Sequence, residues 1–327
     1  MITIGIESSA HTFGVGIVED GKIIANVKSM YPISNKGIIP MKVADFHQKH
    51  AAKMIRKAME EAGINASEID AVGYTKGPGI GPCLRIGQLS AIALAASIGK
   101  PVYPVNHAVG HIEITKHIYG INDPLVLYVS GGNSQILGIE MKPYPHYHVY
   151  GETFDIGVGN MLDSFAREAG LNPAWGSTVA KVAENGKYVK MPYTVKGMDF
   201  TFTGLLTNAV SQLKEGKSIK DVAFSLQETA FSMLCEATER ALMLTQKKEL
   251  IACGGVAQSE RLDQMLKLVA SSHRKKFYVA PNEFNADNGA MIAVVAEKMH
   301  KNRENISIEK PTINQRYRID SFKLAWI

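Results

Sequence analysis

The chain has 327 residues, more than one hydrophobic core usually spans, so two lobes are the natural expectation. Hydrophobic residues make up 46% and charged residues 20%, a balance that excludes a disordered chain. A net charge of +5, from 36 Lys and Arg against 31 Asp and Glu, permits an acidic partner without establishing one.

Residues 2–28 alternate apolar and small polar side chains in the short runs ITIGIESS, FGVGIVEDG and KIIANV, with Glu19-Asp20-Gly21 as a turn. They predict an antiparallel meander. Residues 42–63 carry apolar positions at helical spacing and end at Gly63, a favoured helix stop. A strand (AVGYTK), the turn KGPGIGP, an apolar helix over about 83–98, a strand (PVYPV) and a helix opening at HAVGH follow. The same order then restarts. LVLYVSGG, SQILGIE and HYHVYGE form a second meander, and DIGVGNMLDSFAREAG a second amphipathic helix ending at Gly170. Helices around 204–245, a strand LIACGG, a helix from 258, a strand KFYVA and a last helix from 286 complete the chain. A meander-then-helices unit met twice predicts a duplicated α/β architecture, two lobes around a central cleft. The expected lobes are 1–122 with 300–327, and 123–299.

Cys83, Cys235 and Cys253 lie far apart with no CxxC, so neither a disulfide framework nor a thiolate zinc site is indicated. No run reaches the 18 or so apolar residues of a membrane span, and MITIGIESS has no basic leader region. The expectation is a cytoplasmic protein without a membrane partner. The basic residues Lys298, Lys301, Arg303, Arg316, Arg318 and Lys323 gather late, a pattern that a solvated helix face and tail explain.

The strongest chemical signal is His107-Ala-Val-Gly-His111. Residues four apart share one helix face, so both imidazoles can reach one ion. The glutamate that a zinc protease needs beside its first histidine is replaced by Ala108, which argues against peptide hydrolysis. An isolated HxxxH pair is more often a coincidence of a helix surface, so the motif needs company. KGPGIGPCLRIG (76–87), VSGGNS (129–134) and ACGGVAQS (252–259) are glycine turns at strand ends that offer backbone N–H groups to an anion, although plain chain reversal explains each one singly. None is a Walker A loop: ahead of Gly216-Lys217-Ser218, Ser211 stands where the leading glycine belongs. None matches the dinucleotide fingerprint either. Asp287 precedes an apolar helix, where an N-cap is the default reading and a carboxylate ligand the sharper one. Asp155 reads as a cap of the helix after the second meander, and Asp163 falls within that helix as a candidate ligand contact. Tyr128 is either a strand aromatic or an oxygen ligand.

As a set, GIESSAHTFGVGIV, KGPGIGPCLRIG, NHAVGHIE, YVSGGNSQ, GNMLDSFAREAGL, DFTFTGL, CGGVAQSERL and ADNGAMIA resemble the ordered motifs of the universal tRNA threonylcarbamoyladenosine synthase catalytic subunit, in its archaeal and eukaryotic KEOPS branch. The resemblance spans nearly the whole chain. It implies the duplicated fold of actin, sugar kinases and heat-shock chaperone ATPases. It also implies transfer of a threonylcarbamoyl group from threonylcarbamoyl-adenylate to the exocyclic amine of the adenosine beside the anticodon in ANN-decoding tRNAs, releasing AMP. Carried over motif by motif, it implies one iron or zinc ion on His107, His111 and Asp287, with Tyr128 as a further ligand. Donor contacts would come from Tyr128, Val129, Ser130, Gly131, Gly132, Asp163, Gly176 and Ser259, at a site that ATP or an AMP-type nucleotide could also occupy. The implied partners are tRNA, a small atypical protein kinase and small dimerising subunits. The chain departs from the family pattern at Trp175-Gly176-Ser177, at Ala180 in place of an acid, and at Ser259 in place of an asparagine. These departures bear on the nucleoside contacts of the donor. Two alternatives remain open at this stage: an ATP-binding or ATP-hydrolysing protein of the same fold, and a non-catalytic scaffold in a kinase-containing complex.

Overall fold

A computed structural model of the protein describes residues 1–32, 38–305 and 311–327. The chain divides into two compact units: unit 1 comprises 1–120, 140–147 and 280–327, and unit 2 comprises 121–139 and 148–279.

Unit 1 is built on β1 (Ile2–Glu7), β2 (Thr12–Glu19), β3 (Lys22–Met30), β4 (Ala71–Gly77) and β5 (Val102–Asn106). Every residue of β1 and β4 is buried, as central strands covered on both faces require. The meander is present as expected, with β1, β2 and β3 antiparallel, while β4 and β5 join parallel on the other side of β1. The sheet order is β3-β2-β1-β4-β5. Helices α1 (Pro40–Ala62) and α2 (Gly81–Ile98) pack on it and on each other, and Gly63 and Gly99 end them in the left-handed conformation. By length and apolar composition α2 would pass for a membrane span, contrary to the sequence expectation; however, Cys83, Leu84, Gly87, Ala91 and Ala95 are buried against protein. Helix α3 (His107–Tyr119) follows β5 directly.

Unit 2 repeats the plan. Strands β6 (Leu125–Val129), β7 (Ser134–Glu140) and β8 (His146–Glu152) form the second meander, and helices α4 (Val158–Glu168), α5 (Gly176–Ala183), α6 (Thr203–Lys214) and α7 (Ile219–Thr245) follow. Between α5 and α6 lies a small hairpin, β9 (Val195–Lys196) with β10 (Asp199–Phe200). Then come β11 (Glu249–Cys253), α8 (Glu260–Ser272) and β12 (Lys276–Val279). The order β12-β11-β6-β7-β8 is the first sheet's order read from the other edge, so the duplication inferred from pattern is a duplication of topology. The short α5 and the hairpin are not legible in the sequence, because neither is long enough to show a periodicity.

After α9 (Asn282–Asn285), the last helix α10 (Gly289–Lys301) belongs to unit 1, which corrects the sequence boundary that placed 123–299 together. The reason is close backbone approach. A Cβ on Gly16 would lie 2.2 Å from the Ala290 amide nitrogen, and one on Gly5 2.2 Å from that of Ala293. Only glycine lets α10 lie directly on β1 and β2.

Candidate active site

The titratable side chains of unit 1 converge where β1 ends and where α3 and α10 begin. His107 opens α3 and His111 stands one turn further on, so both imidazoles project to one side. Every residue from His107 to Lys116 is buried; His107 is 8% exposed and His111 1%. A pair this deeply enclosed is not a coincidence of a helix surface. Nε2 of His107 lies 3.6 Å and Nε2 of His111 3.3 Å from Oδ1 of Asp287, and the three ligand atoms fall within 4.8 Å of one another. With metal–ligand bonds of about 2.1 Å, tetrahedral ligands sit roughly 3.4 Å apart, so the two distances to Asp287 match those around a zinc-sized dication. Asp287 is free for that role because the neighbouring Asn288 does the capping. Asn288 accepts from the Met291 amide at 3.0 Å, which takes the N-cap reading away from Asp287.

Glu7 completes the cluster and was not singled out from the sequence. Its carboxylate ends β1, fully buried, and accepts from His107 Nδ1 at 3.0 Å, from Thr75 Oγ1 at 2.6 Å and from the Ser9 amide at 2.5 Å. The available signal was a lone acid closing an otherwise apolar buried strand, ITIGIE. Holding the proton on Nδ1 leaves Nε2 as the coordinating atom, the usual carboxylate–histidine arrangement behind a metal.

The electrostatics follow. Burial favours neutral His107, but the charge and hydrogen bond of Glu7, helped by Asp287, override it and lift its pKa to about 9. Burial lowers His111 despite the hydrogen bond it donates to Asp287. Burial would raise both carboxyls, yet the imidazoles hold Glu7 and Asp287 below the ordinary carboxylate range. Two carboxylates facing two imidazoles make a site that gains by exchanging a proton for a dication.

Unit 2 assembles a different kind of site at the carboxyl ends of β6 and β11, where open α/β sheets bind ligands. Cys253 pairs with Tyr128, so the two glycine turns emerge side by side. In the first turn, the Ser130 amide donates to the Asn133 carbonyl at 2.8 Å and the Asn133 amide to Ser130 Oγ at 3.1 Å. Gly131 and Gly132 are exposed at its tip, and a Cβ on Gly132 would meet nothing. In the second turn, Gly254 has φ +96°, and a Cβ there would lie 2.4 Å from the Val129 carbonyl oxygen. Tyr128 is buried on β6, in unit 2, and Val129 beside it is fully buried. Asp163 and Gly176 are brought together: Oδ1 of Asp163 accepts from the Gly176 amide at 2.7 Å, at the start of α5. Ser259 caps α8 through the Leu262 amide at 3.5 Å, so this departure from the family pattern carries a local structural duty.

Two of three remaining expectations are corrected. Asp155 is a cap, but of α6: it accepts from the amides of Phe202 and Thr203, while α4 starts at Gly157 without a side-chain cap. The late basic cluster is, as expected, largely a solvated face: Lys301, Arg303, Arg316, Arg318 and Lys323 are exposed, and Lys298, half-buried, pairs with the buried Glu113. The turn KGPGIGP is covered by the C-terminal segment, with the Gly79 amide on the Gln315 carbonyl and the Ile80 amide on that of Ser9, so it does not offer an open anion site.

Comparison with known proteins places the chain. The family model for TsaD, tRNA N6-adenosine threonylcarbamoyltransferase, matches residues 21–294. The chain belongs to this family. The tRNA N6-adenosine threonylcarbamoyltransferase of Thermococcus sibiricus is 45% identical over 328 residues, covering the whole of both chains. A Methanobrevibacter smithii protein named "Probable bifunctional tRNA threonylcarbamoyladenosine biosynthesis protein" is 46% identical over this whole chain, which spans 60% of that longer protein. Among solved structures, Thermococcus kodakarensis HypF superposes with a TM-score of 0.60 at 14% identity, over 89% of this chain and 46% of HypF. The activator of 2-hydroxyisocaproyl-CoA dehydratase from Clostridium difficile superposes with a TM-score of 0.52 at 12% identity, over 95% and 100%. These likenesses and the family membership agree on the duplicated actin, sugar-kinase and chaperone-ATPase fold.

Proposed function

We propose that the protein transfers the threonylcarbamoyl group of threonylcarbamoyl-adenylate to the exocyclic amine of the adenosine beside the anticodon in ANN-decoding tRNAs. A C–N bond forms, the acyl–phosphate C–O bond breaks, AMP leaves and the amine gives up one proton. The observation that carries this reading is the convergence of His107, His111 and Asp287 behind Glu7, in a chain of this family.

In this reading His107 Nε2, His111 Nε2 and Asp287 Oδ1 hold one zinc or iron ion, since imidazoles with oxygen ligands accept either. A dication held there supplies Lewis-acid polarisation of the donor. Glu7 keeps His107 in the tautomer that presents Nε2. The turns of unit 2, from Tyr128 through Gly132 and around Gly254 and Gly255, meet the anionic and nucleotide part of the donor, with the exposed Gly131, Gly132 and Gly255 supplying the backbone N–H groups. Asp163 fixes the start of α5 through the Gly176 amide. An adenine amine is a weak nucleophile, so orienting the pair and stabilising charge on the donor are the tasks, and no protein nucleophile is needed. Each tenfold in rate requires about 1.4 kcal/mol of such stabilisation.

We further propose a cytoplasmic location, supported by three free and buried cysteines, and partnership with a small kinase, supported by the bifunctional name of the longer relative. The test is direct. The chain is incubated with threonylcarbamoyl-adenylate, an ANN-decoding tRNA and the kinase and dimerising subunits of its source, and the nucleosides are read by mass spectrometry. Threonylcarbamoyladenosine that appears only with metal-loaded protein is the expected result. No product, under conditions where the Thermococcus relative yields it, would sink the assignment.

A further inference from the structure

We propose that the C-terminal segment 311–327 is the positioning element of the helix that carries His107 and His111, and that the glycines of KGPGIGP form its cradle. The metal half of this inference rests on the proposed function; the mechanical half does not.

The cradle is built backbone against backbone. The Asn314 amide donates to the Lys76 carbonyl at 2.8 Å, and the Gly79 amide to the Gln315 carbonyl at 3.3 Å. Tyr74 donates from its hydroxyl to the Thr312 carbonyl at 2.8 Å, and the Lys76 ammonium lies 4.8 Å from the centre of the Tyr317 ring. Gly77 has φ +148°, and a Cβ there would lie 1.8 Å from the Asn314 carbonyl oxygen. One on Gly81 would lie 2.5 Å from the Gln315 side-chain nitrogen. The glycines of this turn therefore make room for a strap of the protein's own chain, the same absence of side chains that suggested a phosphate loop in the sequence.

The strap reaches the metal helix through one residue. Asn106 is fully buried and pairs with Gly77 across β4 and β5. Its Oδ1 accepts from the amides of Ala108 and Val109, at 3.0 and 3.3 Å, capping α3. Its Nδ2 donates to the carbonyls of Tyr317 and Arg318, at 3.1 and 3.4 Å. A carboxamide is planar, so tethering its nitrogen end fixes the direction in which its oxygen meets the helix. The segment is in turn anchored by Ile319, Phe322 and Leu324, all buried, and by the Leu324 amide on the Pro145 carbonyl at 2.8 Å. Further along, the Trp326 ring lies 5.8 Å from the Lys298 ammonium, which is paired with Glu113, two residues beyond His111. The strap thus supports α3 at its cap and, through Lys298, at its middle. Asn106 touches none of the three candidate ligands' coordinating atoms; it is a positioning residue, and ligands of a metal site need placement within about 0.5 Å.

Asn106→Asp keeps the capping oxygen and replaces the two N–H donors with a carboxylate facing two carbonyls. Gly77→Ala displaces the strap at Asn314 without touching the cap. Both are compared with wild type by amide hydrogen exchange of the metal-free full chain and by zinc(II) titration against a chromophoric chelator. The expected result is exchange at least about tenfold faster over 107–111 and 312–318 in both variants, with α1 at the wild-type rate. Zinc affinity is expected to fall about tenfold in Asn106→Asp, although its added negative charge alone would tighten a dication. Unchanged protection of 107–111 in both variants overturns the proposal, as does loss spread equally over α1 and α3. Equal or tighter zinc binding in Asn106→Asp overturns the positioning role. A wild type that binds neither zinc(II) nor, anaerobically, iron(II) sinks the metal reading itself, and the exchange data then show whether the strap holds the helix all the same.

Discussion

The two units share one sheet topology and use it in opposite ways. At the ends of its strands unit 1 gathers side chains, Glu7, His107, His111 and Asp287, whose lone pairs suit a cation. At the equivalent ends unit 2 gathers glycine turns, Ser130 to Asn133 and Gly254 to Gly255, whose exposed Gly131, Gly132 and Gly255 present main chain in place of side chains. The lesson is that duplication conserves the scaffold that places strand ends, while the residues set on those ends decide what each half can bind.

That contrast can be broken most severely in unit 1. Replacing His107 and His111 together with Ala should abolish metal retention, read by elemental analysis, and lower threonylcarbamoyl transfer by more than about 100-fold, a loss on the order of 3 kcal/mol. Retained transfer at full rate would show that the side-chain half is not the catalytic half.

The next effect concerns what holds that half together. Glu113 is fully buried, accepts from Lys116 at 2.7 Å, and also meets Lys298 and the Tyr147 hydroxyl. Burial would raise its carboxyl, but the two ammonium groups bring its pKa down to about 2 from an ordinary 4.5. A depressed carboxylate stabilises the fold fully above the unfolded value, and that stability is lost as pH falls from about 4.5 towards 2. The loss is on the order of 3 kcal/mol. Chemical denaturation across this window should show the decline in wild type and a flatter profile in a Glu113→Gln, Lys298→Met double variant.

A smaller change sharpens the role of Glu7. Glu7→Gln keeps a hydrogen-bonding group at His107 but removes the charge, so metal affinity should fall about 10- to 100-fold, the usual cost of losing a partner behind a ligand. Chelator competition measures it. In unit 2 the expected effects are smaller still and differ between two glycines. Gly254→Ala meets the Val129 carbonyl at a positive φ and should cost about 1–3 kcal/mol in thermal unfolding. Gly132→Ala enters open space and should leave stability within about 0.5 kcal/mol while raising the KM for the donor, if the exposed tip meets it.

The sequence by itself determined the duplicated order of strands and helices, because long runs of period 2 and period 3.6 survive without tertiary context. It also fixed His107 and His111 on one helix face, since four residues make about one turn. What it left undecided was every contact between elements distant in the chain. Glu7 lies 100 residues from His107, and nothing local in ITIGIE says which imidazole it will meet. Asp287 and Asn288 are equally good caps on paper; only packing of α10 on β1 and β2 assigned the cap to one and the histidines to the other. KGPGIGP looked like a phosphate turn because glycine records the absence of a side chain and not the identity of what fills the space. Tertiary structure filled it with the chain's own C-terminal segment, whose hydrogen bonds to that turn are main-chain groups and so leave no mark in the sequence.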